Sequence, residues 1–139
     1  MYSFPGCASS GSIAYIKVSI AKERYFHPDV TVTYDPRDRG TGDLLHSPRL
    51  VVEVLSPSTE LKDRAWKLQN YTAHPTIEEY MLVSARSLKI ELYRKEQNKW
   101  VYYAFGSNEE IDLACLGVRF PVADAYEGIN PDEDFSTRE

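Results

Sequence analysis

The stretch Arg49–Glu60, RLVVEVLSPSTE, decides how this chain is built. Leu50, Val51, Val52, Val54 and Leu55 form a near-continuous run of β-branched and aliphatic residues, the pattern of a strand covered on both faces. Glu53 interrupts it. An ionised carboxylate in such a place is costly unless a cation or a set of donors meets it. Side chains alternate along a strand, so Glu53 points with Val51 and Leu55, away from Leu50, Val52 and Val54. Two explanations fit an acid here: a structural pairing with an Arg or Lys, or a metal-binding or general-base carboxylate held on a rigid strand.

After Glu53 the chain turns at Ser56-Pro57-Ser58 and then reads as a helix over Thr59–Ala73. Ser58 or Thr59 can cap it, Glu60 and Asp63 suit its positive end, and Pro75 stops it. At helical spacing Leu61, Ala65, Leu68 and Thr72 form one stripe, expected to pack on the sheet. Asp63, Arg64, Lys67, Asn70 and Tyr71 gather about a second line centred on Lys67. A strand carboxylate followed by a helix carrying Lys and Arg is a candidate acid–metal–cation site. Polar helix faces are commonly just solvated, however.

The strings HPDVTVTYDPRD, SPRLVVEVLSPSTELKDRAWKLQNY and IEEYMLV resemble the Uma-two (Uma2) family of endonuclease-like proteins, assigned to the PD-(D/E)xK restriction-nuclease superfamily. The likeness runs from about Ile13 to Ile129. It implies an α/β fold, a restriction endonuclease-like core with a curved mixed β-sheet, and a helix following the acidic strand. It also implies that Asp29 and Glu53 bind Mg²⁺ or Mn²⁺. The superfamily's lysine position, two residues after the acid, is Leu55 here, and Lys67 matches the place to which this family moves it. One or two helices ahead of the first strand are usual in the family, and a chain opening MYSFPGCASSGS is expected to lack them and any acid they carry.

Composition frames these expectations. The chain has 139 residues, 42% hydrophobic and 27% charged, as an ordinary globular domain does. Its ten tyrosines favour strands over a helical bundle. A formal charge of −5 excludes a surface coated in basic patches, so any nucleic-acid interface must be local. Cys7 and Cys115 are far apart and lack zinc-ligand spacing, so reduced thiols and a cytoplasmic location are expected. No run is long enough to span a membrane. Residues 1–12 read as a loose N-terminal segment, 13–129 as one domain, and 130–139 as a frayed acidic tail.

Ile13–Ile20 reads as a strand and Tyr25–Tyr34 as another, bent at Pro28. Asp29, Thr31 and Thr33 fall on one face of the second, expected to be the wetter one. Asp29 is therefore either a cap at a strand entrance or a ligand facing solvent or metal. Asp35–Pro48 is a long turn-rich loop whose Arg37, Arg39 and His46 are candidate phosphate contacts, each more simply a solvated side chain. Beyond the helix, Glu78–Ser84, Leu88–Arg94 and Trp100–Phe105 read as strands, the middle one with a wet face at Lys89, Glu91 and Tyr93. Short strands at Ile111–Leu113 and Val118–Phe120 flank Gly117.

These readings converge on a metal-dependent DNA endonuclease. Asp29, Glu53 and the Val54 carbonyl would hold the ion, and Lys67 would orient water or neutralise developing charge. Arg64 and Tyr71 would fix the lysine or touch phosphate, and Asp63 would pair with Lys67 along the helix. The alternative is a catalytically inactive nuclease-fold protein acting as a nucleic-acid-binding or dimeric interaction module, or one in which Glu53 is merely salt-bridged to Lys67 or Arg64. Uncovered edge strands such as Ile13–Ile20 point to a homodimer.

Overall fold

A computed structural model of the chain describes residues 2–3, 10–14, 17–21, 24–26, 28–38, 44–55 and 60–127. In chain order the strands are β1 (Tyr2–Ser3), β2 (Ser10–Ala14), β3 (Lys17–Ala21), β4 (Arg24–Phe26), β5 (Val30–Thr33), β6 (Leu44–Leu45) and β7 (Pro48–Leu55). Helix α1 (Glu60–Ala73) follows, then β8 (Glu79–Ser84), β9 (Ile90–Glu96), β10 (Lys99–Phe105), β11 (Glu110–Leu113) and β12 (Val118–Pro121). The main sheet has the order β1-β2-β5-β7-β8-β9-β10. Within it β7 and β8 are parallel, joined through α1, while the other pairs are antiparallel. This is the mixed α/β architecture expected, with the helix directly after the acidic strand.

The apolar run of β7 is covered on both sides as far as Glu53, beyond which Val54 is half exposed. Leu50 and Val52 pack with Val32, Met81, Ile90 and Leu92 in one cluster, closed by Ile111 and Leu113 of β11 and by Val122 and Tyr126 of a C-terminal 3-10 turn. On the other face Val51 packs with Tyr71, Ile77, Tyr80 and Leu82 beneath α1. Tyr71, Ile77, Tyr80 and Leu82 are fully buried. Each such side chain contributes roughly 1.5–3 kcal/mol of burial, which makes the α1 side a true core rather than a loose cover.

Several elements differ from the expectations. Ile13–Ile20 is not one strand: β2 pairs with β1 and β5, whereas β3 joins β4 and β6 in a separate small sheet. Since both segments have neighbours on two sides, the edge-strand argument for a dimer fails there. Strands β1 and β2 also include residues of the stretch expected to be loose. The threonine face of β5 is not wet: Thr31 is completely buried and Thr33 nearly so. The loop before β7 is organised by Asp38, whose carboxylate accepts from the Thr33 hydroxyl and from the backbone N–H groups of His46 and Ser47. The acidic tail at 130–139, the cap positions Ser58 and Thr59, Arg39 and Cys7 lie outside the described residues.

The face of α1 that meets the sheet is only partly the expected one: Leu68 packs against the cluster of Val51, Tyr71 and Tyr80, while the side chain of Leu61 lies outside the described residues. Ala65 is exposed and Leu68 and Thr72 are only partly buried, while Arg64, Lys67 and Tyr71 turn toward the strands. The cause lies in the sheet, which offers α1 two buried carboxylates, Glu53 and Glu91. A helix that presented only aliphatic groups to them would strand both charges, so the cationic line faces inward. The face of β9 expected to be wet lies under this helix, and Glu91 is buried there. The β9–β10 hairpin closes with Gln97 and Asn98, both at positive φ as a two-residue turn of primed type requires.

Candidate functional site

Glu53 stands in β7 opposite Leu82 of β8, on the face covered by α1. Its Oε2 accepts a hydrogen bond from Lys67 Nζ at 2.5 Å, and its Oε1 accepts one from the Tyr71 hydroxyl at 3.3 Å. Lys67 and Tyr71 are one helical turn apart, so α1 delivers both donors to one carboxylate. Burial pushes the Glu53 carboxyl above its ordinary value, against the hydrogen bond and charge of Lys67, and the negative charge of Asp29 adds to the rise. Burial, with Glu53 beside it, also pushes the Tyr71 phenol far up, so Tyr71 serves as a donor and not as a base.

Asp29 precedes β5, whose register sets Val30 opposite Val52 and Thr31 opposite Val51. Carried one step on, that alternation puts Asp29 beside Glu53 on the same face. The Asp29 Oδ2 accepts the Val54 N–H at 2.6 Å. It thereby caps the end of the β5–β7 ladder, the strand-entrance role that the residue type allows. The cap and the ligand reading are compatible, because a carboxylate has lone pairs to spare. Among the described residues no group of three or more His, Cys, Asp or Glu is placed to hold a metal ion. Two carboxylates nonetheless suit a hard divalent cation that keeps several waters. The charge that Asp29 imposes on Glu53 is of the kind such a cation relieves.

A second ion pair lies beside the first. Arg64 Nη2 is 2.5 Å from Glu91 Oε1, and the Tyr102 hydroxyl donates to the same oxygen at 2.5 Å. Burial alone would raise the Glu91 carboxyl, but the hydrogen bonds from Arg64 and Tyr102 and the charge of Arg64 hold it below its ordinary value. Arg64 is thus directed at Glu91, not at Lys67. Glu91 and Tyr102 were not singled out from the sequence. The available signal was Arg64, three residues before Lys67 and so in phase with it, a second inward cation in need of an acid.

The remaining candidates are dispersed. Arg37 forms an exposed pair with Asp35 at 2.6 Å, and that guanidinium holds the Asp35 carboxyl well below the usual range. His46 is exposed and its backbone N–H is spent on Asp38. The side chain of Asp63 lies outside the described residues, and Lys67 takes Glu53 as its partner. Burial pushes the Cys115 thiol far above its ordinary value, with Glu79 adding to the effect.

The profile of the Uma2 family, described as "Putative restriction endonuclease", matches residues 8–123. "Uncharacterized protein slr1290" of Synechocystis sp. is 40% identical over 116 residues, 82% of this chain and 61% of its own. "Uncharacterized protein sll1609" of the same organism is 30% identical over 100 residues, 69% of this chain and 56% of its own. The chain therefore spans between 56% and 61% of the length of these relatives. A crystal structure described as a "putative nuclease belonging to DUF820" from Anabaena variabilis superposes with a TM-score of 0.66 at 14% identity, covering 82% of this chain and 66% of that one. At that identity the likeness concerns the fold alone. Among the described residues no helix is long and apolar enough to cross a membrane.

Proposed function

The chain belongs to the Uma2 family, and on that premise we propose that it is a metal-dependent nuclease hydrolysing phosphodiester bonds of DNA where Asp29, Glu53 and Lys67 meet. The observation that carries this reading is the buried Glu53 carboxylate with the Lys67 ammonium 2.5 Å away and the charge of Asp29 beside it. A buried acid with perturbed protonation, beside a cation and a second acid, is characteristic of reaction sites.

In this reading Asp29, Glu53 and the Val54 carbonyl would hold Mg²⁺ or Mn²⁺. A bound ion of this type polarises a phosphoryl oxygen and lowers the pKa of an attacking water. Lys67 supplies a positive charge at the mouth of the site, where negative charge builds on the phosphoryl oxygens. Tyr71 holds Glu53 in one orientation by donating to Oε1, and Arg64 reaches the reaction only through the seating of α1. DNA is the partner this chemistry needs. A homodimer is a separate part of the proposal, resting on β10, which is the last strand of the main sheet, and light scattering tests it.

The test is nicking of supercoiled plasmid in Mg²⁺ or Mn²⁺. Wild-type cleavage should vanish in EDTA and in Glu53→Ala. A specific observation favours a second reading, that of a nuclease-fold binding protein without turnover: Lys67 already satisfies Glu53 as an ordinary ion pair. That reading expects DNA retarded on a gel but uncut, whereas a purely structural module, with Glu53 only salt-bridged, expects no heat of Mn²⁺ binding at millimolar concentration. Cleavage that persists unchanged in Glu53→Ala would refute the site assigned here.

A further inference from the structure

The turn between β8 and β9 lies at the same end of the sheet as Glu53. The parallel register sets Leu55 opposite Ser84, two residues past the Glu53–Leu82 pair, and the Ala85 N–H donates to the Leu55 carbonyl at 3.0 Å. Two residues of strand correspond to about 7 Å. The turn is held firmly. The Ser84 hydroxyl accepts from the N–H groups of Arg86 and Ser87, the Ser84 N–H donates to the Lys89 carbonyl, and the Tyr126 hydroxyl bridges the Ser84 and Lys89 carbonyls.

On this frame Arg86 and Lys89 are exposed, and no ion pair engages either among the described residues. Among the described residues the cations that α1 brings to the site are committed, Lys67 to Glu53 and Arg64 to Glu91. Lys89 directly precedes β9 and stands two residues before Glu91, so strand alternation sets it on the helix-covered side of the sheet. In a chain of net charge −5, a local pair of uncommitted cations beside the acids is where an anionic backbone can be gripped.

We propose that Arg86 and Lys89 form a phosphate-binding clamp that holds the DNA backbone next to the Glu53 site. This rests on the nuclease reading and adds to it the residues that grip the substrate. A rigid turn serves this purpose because the cations are placed before the DNA arrives, and each phosphate contact releases a counterion.

The experiment is the salt dependence of binding of the full chain to a fluorescein-labelled DNA duplex, in EDTA so that nothing is cut, from about 50 to 200 mM salt. In Arg86→Gln/Lys89→Gln the slope of log K against log salt should fall in magnitude by about 2 relative to wild type. Lys95→Gln/Lys99→Gln, at the opposite end of β9 and β10, should leave it unchanged. A clamp variant with the wild-type slope overturns the inference, as does an equal loss in the control variant. If plasmid nicking still depends on Glu53 in that case, the nuclease reading stands without the clamp. A wild-type chain that neither binds nor cuts DNA overturns both.

Discussion

Glu53 and Glu91 face the same residue, Leu82, from the two strands that flank it, and each is met by its own cation from α1. Arg64 and Lys67 are three residues apart, so one helix face fastens to the sheet at two points. The second fastening sets the position of the first. Arg64→Ala leaves the buried Glu91 with Tyr102 alone and should destabilise the fold by about 1–3 kcal/mol. It should also lower nicking activity, because α1 is then free to shift Lys67 away from Glu53. Arg64→Ala and Glu91→Ala combined should cost less than the sum of the two, with a coupling of about 0.5–3 kcal/mol by urea denaturation. Full additivity would show that the pair does not act as a unit.

The two carboxylates should affect stability in opposite directions with pH. Glu91 is held below the ordinary 4.5, so the stability it contributes is complete above 4.5 and is lost as pH falls through its depressed folded value. Glu53 is raised above 4.5 by burial. Between 4.5 and that raised value the folded state binds more protons than the unfolded one, so stability declines as pH rises across this interval. In Glu53→Gln the decline should be absent from urea titrations run at stepped pH, while the Glu91 contribution persists. A Glu53→Gln profile identical to that of wild type would mean that Glu53 titrates normally in the fold.

How much of this was legible beforehand depends on which interactions are local. The strand, the acid inside it and the helix after it follow from periodicity within one stretch, and all three are present, though the double cover stops short of the half-exposed Val54. The face of α1 was not legible from α1 itself. Aliphatic spacing favoured Leu61, Ala65, Leu68 and Thr72, and Leu68 does pack on the core, but the inward turn of Arg64 and Lys67 was set by Glu91 and Glu53, 27 and 14 positions away respectively in the two ion pairs. The division of Ile13–Ile20 between two sheets escaped for a related reason, since alternation specifies a strand but not its neighbours. For Asp29 the residue type allowed a cap or a ligand, and the position beside Glu53 permits both.

Tyr71 is placed to tune Glu53. It is fully buried, and its hydroxyl reaches Glu53 Oε1 at 3.3 Å. Removing a donor to the charged form raises a carboxyl pKa, so Tyr71→Phe should move the acid limb of the pH–rate profile for nicking to higher pH. The ring would still fill the space against Phe26 and Tyr80, whose centroids lie 5.5 and 4.9 Å away. Stability should therefore change by about 1 kcal/mol or less. A variant whose activity falls equally at every pH would show instead that Tyr71 does not act through the protonation of Glu53.

On the far face Arg94 makes a pair with a different purpose. Its Nε is 3.0 Å from Glu79 Oε2, a second nitrogen donates to the Asp112 carbonyl, and the guanidinium lies over the Tyr103 ring at 5.1 Å. Glu79 is 1% exposed, and its other oxygen accepts the Cys115 N–H at 2.8 Å. The pair thus ties β8 and β9 to the β11–β12 hairpin, away from the α1 face. Arg94→Met deprives a fully buried carboxylate of its counter-charge and should cost about 3–5 kcal/mol. Replacing both residues, in Glu79→Leu/Arg94→Met, should recover much of that loss, since no charge is then left unpaired. Urea denaturation of the two variants decides it, and a double variant no more stable than the single one would mean that Arg94 matters through its bond to Asp112 and its contact with Tyr103.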